Sequence, residues 1–109
     1  MESSPDEGLS PAASVQFRAL QRRFVAGLAA RWTDIRDAPD PQSLCSALHR
    51  LRGSAGSYGF SLLGQVAGEL EGLAGHAAGA DLAPRLAQLQ EEIRRLENQW
   101  QHAPGTGPV

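Results

Sequence analysis

The segment His49-Arg50-Leu51-Arg52-Gly53-Ser54-Ala55-Gly56 sets one imidazole beside a cation and two glycines at helical spacing. His49, Arg52, Gly53 and Gly56 stand at i, i+3, i+4 and i+7, which is one stripe of an α-helix. Leu44, Leu48, Leu51, Ala55 and Tyr58 form the neighbouring apolar stripe. His49, one step past Leu48, is turned about 100° away from that stripe, so the spacing predicts a ring at the edge of the core and within reach of solvent. A glycine inside a helix costs about 1 kcal/mol relative to alanine. Gly53 and Gly56 therefore point either to close helix packing or to a surface kept bare for a partner. Gly53 stands one turn beyond His49 on the outward edge, which favours access.

Several uses of a histidine can be weighed against these neighbours. The bland one is a structural or surface side chain, the commonest role of a lone histidine on a helix. Metal binding lacks ligands: His76 and His102 lie on distant segments, and no His-x-x-x-His or Cys-x-x-Cys spacing occurs. Ser54 and Ser57 are close in sequence, but neither sits on the strand-to-helix elbow of a hydrolase. An imidazole acting as a nucleophile toward phosphorus remains. A neutral imidazole carries a free lone pair on one ring nitrogen, able to accept a phosphoryl group. Arg52, three residues on, can offset the charge of roughly −2 that a phosphoryl group brings.

The elements that must hold this segment are all helical by period, with no competing strand signal. A first helix is expected from Pro11 to Ile35, with Ser10 as cap and Phe17, Leu20, Phe24, Leu28, Trp32 and Ile35 inward. Asp40-Pro41 repeats the cap-then-proline signature and opens a second helix that ends near Tyr58 at Gly59. Ser61 is the expected cap of a third helix running to about Ala77, with Leu63, Val66, Leu70, Leu73 and Ala74 inward and Gly75 and Gly79 marking its end. Asp81 is the expected cap of a fourth, with Pro84 in its first turn and Leu82, Leu86, Leu89, Ile93, Leu96 and Trp100 as a regular stripe. Short connections between four helices favour an all-α, antiparallel up-and-down four-helix bundle over residues 11–102. Residues 1–10 and 103–109, rich in turn formers, are expected to be flexible tails.

Composition narrows the function classes. The chain has 109 residues, enough for one modest core, with 41% hydrophobic and 20% charged residues. Its formal net charge is −2, and its arginines are dispersed, so no nucleic-acid partner is expected. Cys45 is the single cysteine and cannot form an internal disulfide. No apolar run approaches the length of a bilayer span and no secretory signal is legible, so a cytoplasmic location without membrane attachment is expected.

The run His49-Arg50-Leu51-Arg52-Gly53-Ser54-Ala55, followed by Tyr58-Gly59-Phe60, Leu63, Ala67 and Leu70-Glu71, resembles the signature of histidine-containing phosphotransfer (HPt) domains over about 23 consecutive positions. By that resemblance His49 is the phosphoacceptor, modified on the ring nitrogen farther from the backbone. Arg52 stands where such domains usually carry lysine, which keeps the charge but replaces a point with a planar fork. Glu71 occupies the place of an acidic or amide residue that lies near the histidine in similar domains. Spacing supports it separately, because Glu71 is one step past core residue Leu70 just as His49 is one past Leu48. A carboxylate there could accept the proton of the nearer ring nitrogen. The resemblance implies transfer between aspartates of receiver domains, on response regulators or a hybrid sensor histidine kinase, with the partner supplying magnesium. The chain has no phosphate loop or magnesium cluster of its own, so neither autokinase activity nor a resident cofactor is expected. A monomer is expected. The competing readings are a non-catalytic helical adaptor, and a dimerisation module built on the fourth helix.

Overall fold

A computed structural model describes residues 11–75 and 79–101, and every regular element among them is an α-helix. In order they are α1 (Pro11–Ala26), α2 (Leu28–Arg36), α3 (Pro41–Ser57), α4 (Ser61–Ala74) and α5 (Gly79–Gln101). The tails 1–10 and 103–109, the Ser10 cap, His76, Ala77 and His102 lie outside the described residues. None of the helices is long and apolar enough to cross a membrane, among the described residues.

The first expected helix is two segments divided at Gly27. Its N–H is shared between the carbonyls of Arg23 at 3.2 Å and Phe24 at 3.1 Å, and the ladder resumes with Arg31 N–H to Gly27 O at 3.2 Å. Glycine holds a helix least firmly, so the tightening falls there. Leu20, expected inward, is 43% exposed. The buried pair Phe24 and Val25 turns the inward stripe toward Gln21, whose side-chain amide donates to the Tyr58 carbonyl at 2.8 Å.

Leu28, Leu48, Leu51, Leu63, Leu70 and Leu89 are fully buried and form the centre of one core, with Ile35, Val66, Ile93 and Leu96 around them. α3 packs most extensively on α4 and α4 on α5, while α2 touches α3 and both α1 and α2 touch α5. Asp40 caps α3 as expected, its carboxylate accepting from Ser43 N–H at 2.7 Å. Its charged form is favoured by that bond, which holds the carboxyl below its ordinary pKa.

α3 ends in a tight two-bond cap. Phe60 N–H reaches Ala55 O at 2.8 Å and Gly59 N–H reaches Gly56 O at 3.2 Å, with Gly59 at φ +82° supplying the left-handed residue. The turn is then clamped by rings: Phe24 lies 5.3 Å from Tyr58 and 5.5 Å from Phe60, and Phe60 meets Trp100 edge-on at 5.7 Å.

Four further expectations are corrected. Phe60, not Ser61, is the N-cap of α4, and no side chain caps that end; Gly64 N–H to Phe60 O at 3.0 Å opens the ladder there. α4 stops at Ala74 on Gly75. α5 already begins at Gly79, so Asp81 lies within its first turn and does not cap it, and Pro84 sits inside the helix, where its ring removes the bond that would reach back to the Ala80 carbonyl.

Candidate functional site

The α3 register that sends Leu48 and Leu51 into the core leaves the next residue of the turn outside. The His49 side chain is 63% exposed, against none of Leu48. Arg52 follows on the same face, half exposed. α4 does the same from the other side of the seam: Leu70 is fully buried and Glu71 emerges beside it, its side chain 26% exposed.

The structure brings these three together. Glu71 Oε2 lies 2.9 Å from His49 Nδ1, and Glu71 Oε1 lies 3.3 Å from Arg52 Nε. Arg52 also comes within 3.5 Å of His49 Nδ1 through a terminal nitrogen. Nδ1 cannot accept from arginine while donating to the carboxylate. The shorter, charge-assisted contact decides between them, so the proton belongs on Nδ1 and the lone pair on Nε2. Glu71 Oε1 is sealed from solvent without an aligned donor, which leaves the Arg52 cation as its electrostatic partner. Cys45 approaches the backbone of the same residue, Sγ to Glu71 O at 3.8 Å.

Glycines surround the triad with two different environments. A Cβ added at Gly53 or Gly56 would meet nothing within 4 Å, so this face of α3 is open beside His49. On α4 a Cβ at Gly64 would lie 3.6 Å from Arg52 O and 3.7 Å from Ala55 Cβ, and one at Gly68 would lie 3.0 Å from Arg52 Cδ. The close helix approach considered for the α3 glycines is made by Gly64 and Gly68, neither singled out from the sequence. Their i, i+4 spacing was the available signal.

A shallow depression beside His49 is lined by Arg31, Arg50, Gly53, Ser54, Ser57 and Tyr58. A second, lined by Leu20, Arg23, Phe24, Gly27, Arg31 and Tyr58, adjoins it through Arg31 and Tyr58. The Arg31 guanidinium sits 5.4 Å over the Phe24 ring. Arg23 and Arg50 form no ion pair among the described residues. No cluster of three or more potential metal-ligating side chains occurs among the described residues.

A family model described as Hpt domain matches residues 12–99. No curated protein sequence and no solved structure matches the chain.

Proposed function

The chain belongs to the Hpt domain family, and from that premise we propose that His49 is a phosphoacceptor passing a phosphoryl group between receiver-domain aspartates of a multistep phosphorelay. The observation that carries this reading is the 2.9 Å contact of Nδ1 with Glu71 on a ring whose side chain is 63% exposed. With Nδ1 occupied, Nε2 keeps its lone pair toward solvent. That nitrogen attacks the phosphorus of an aspartyl phosphate; the N–P bond forms as the acyl O–P bond breaks, and the partner's carboxylate leaves. The ring becomes an imidazolium whose Nδ1 proton stays bonded to Glu71, so the developing positive charge meets a carboxylate already in position. Arg52 balances that carboxylate and supplies a cation near the transferred group.

The partner docks over the α3 face at Gly53 and Gly56 and the adjoining edges of α1 and α2. It contributes the aspartate and the magnesium ion. Arg23 and Arg50, which form no ion pair among the described residues, flank this face and suit the acidic rim of such a site. The short connections between helices support an antiparallel up-and-down order for the bundle, and the absence of a membrane-crossing helix among the described residues accords with work in the cytoplasm. The apolar stripe of α5 is spent within the molecule, since Leu89, Ile93 and Leu96 are buried in its core; that argues against α5 as a seam between chains and for a monomer.

Incubation with a phosphorylated receiver domain is expected to yield acid-labile, base-stable label on the chain. His49→Gln is expected to abolish it with the circular dichroism spectrum retained. Label that persists in His49→Gln would overturn the assignment.

A further inference from the structure

Gly68 stands on α4 opposite Arg52, and its missing Cβ is the space through which the arginine stem passes. A methyl at this position would lie 3.0 Å from Arg52 Cδ, 3.9 Å from Cγ and 4.0 Å from a terminal nitrogen. Beyond Gly68, the Arg52 guanidinium reaches Glu71 Oε1 at 3.3 Å and comes within 3.5 Å of His49 Nδ1. Arg52 is otherwise half exposed, and no other charged side chain pairs with it among the described residues. Left to itself, a long cation on an open surface samples many rotamers; here one of them is seated.

We infer that Gly68 is a positioning residue that seats Arg52 across α4, so that its guanidinium balances Glu71 beside the phosphoacceptor ring. The role in transfer rests on the phosphotransfer reading of His49; the seat itself does not. The crowding falls on a flexible side chain and spares the backbone, so Gly68→Ala is expected to move Arg52 and leave the helices in place. Gly64, one turn earlier on α4, is the control. A Cβ there makes its nearest contacts, ordinary ones of 3.6 to 3.8 Å, with Arg52 O, Ala55 Cβ and Gly56 N, none of them an atom of the arginine side chain.

The experiment compares Gly68→Ala, Gly64→Ala and the unaltered chain. Gly68→Ala is expected to melt no lower than the parent, since alanine is the better helix former. Its Arg52 Nε–H resonance is expected to lose the shift imposed by Glu71, and its labelling by a phosphorylated receiver to slow about tenfold, the kinetic equivalent of one charge-assisted contact. Placed in an Arg52→Ala background, Gly68→Ala is expected to slow labelling no further, because the only group it displaces is gone. Gly64→Ala is expected to leave the resonance alone.

An unchanged Arg52 resonance in Gly68→Ala would overturn the seat. Equal slowing with and without Arg52, or unslowed labelling after the resonance has collapsed, would overturn its part in transfer. A parent chain that takes no label would instead sink the phosphotransfer reading, and the resonance would still decide the seat.

Discussion

α3 and α4 each carry a pair of glycines near the triad, and the two pairs do opposite things. On α3, Gly53 and Gly56 face empty space; on α4, Gly64 and Gly68 face the backbone and side chains of α3. One pair removes bulk so that something from outside can approach, the other so that two helices can. The seam made by the second pair is what brings Glu71 within 2.9 Å of His49, and the bareness left by the first is what keeps the far side of that ring uncovered. Residue type alone does not separate these uses. The neighbour across the seam does.

Identical substitutions at the two sites test the contrast most severely. Gly64→Leu forces a branched side chain against Arg52 O and Ala55 Cβ, and overpacking of this kind costs typically 1 to 3 kcal/mol, so a loss of about 2 kcal/mol is expected by urea denaturation. A Cβ added at Gly56 meets nothing within 4 Å, and Gly56→Leu is expected to change stability by less than about 0.5 kcal/mol in the destabilising direction. Equal losses at both positions would erase the distinction between an open and a packed glycine.

A smaller free-energy effect, read in activity instead of stability, is expected at Gly53. Gly53→Gln puts a polar side chain one turn from His49, where an added Cβ meets nothing within 4 Å beyond its own stretch of helix, so the fold should tolerate it and the partner should not. Labelling by a phosphorylated receiver is expected to fall about tenfold, near 1.4 kcal/mol of barrier, with the melting temperature held or raised. Wild-type labelling of Gly53→Gln would mean that the bare face is not the route of approach.

Much of the fold was legible because apolar spacing and burial are the same fact seen twice. Leu48, Leu51 and Ala55 on α3, and Leu89, Ile93 and Leu96 on α5, are buried at the positions their period implied. The Asp40 cap and the Gly59 stop were legible for a local reason, since each acts within a few residues of itself. Expectations failed where the decisive contact comes from elsewhere in the chain. Leu20 lost its inward place to Gln21, whose amide finds the Tyr58 carbonyl 37 residues away. Ser61 lost the cap of α4 to Phe60, whose ring is held between Phe24 and Trp100. At the candidate site His49 and Arg52 share one helix, so their proximity follows from spacing; Gly68 did not stand out, because its importance lies in the arginine opposite and not in its own neighbours.

The two helices also begin differently, and acid should tell them apart. α3 starts on a charged cap, Asp40 accepting from Ser43 N–H at 2.7 Å, whereas α4 starts at Phe60 with no side-chain cap. The bond to Ser43 holds the Asp40 carboxyl below its ordinary pKa, so the folded state favours the carboxylate more than the unfolded chain does. Its contribution is therefore complete above the unfolded value, about 4, and is lost as pH falls through the lower folded value. Asp40→Asn keeps an acceptor at the cap but cannot titrate there. Between about pH 5 and pH 3 the parent is expected to lose slightly more of its melting temperature than Asp40→Asn. Amide exchange at Ser43 is expected to quicken in the parent over the same interval beyond the intrinsic pH trend, while Gly64 on α4 follows that trend alone. Parallel melting curves for the two proteins would show that the charge on Asp40 adds nothing to the start of α3, leaving the two helix openings equivalent in acid.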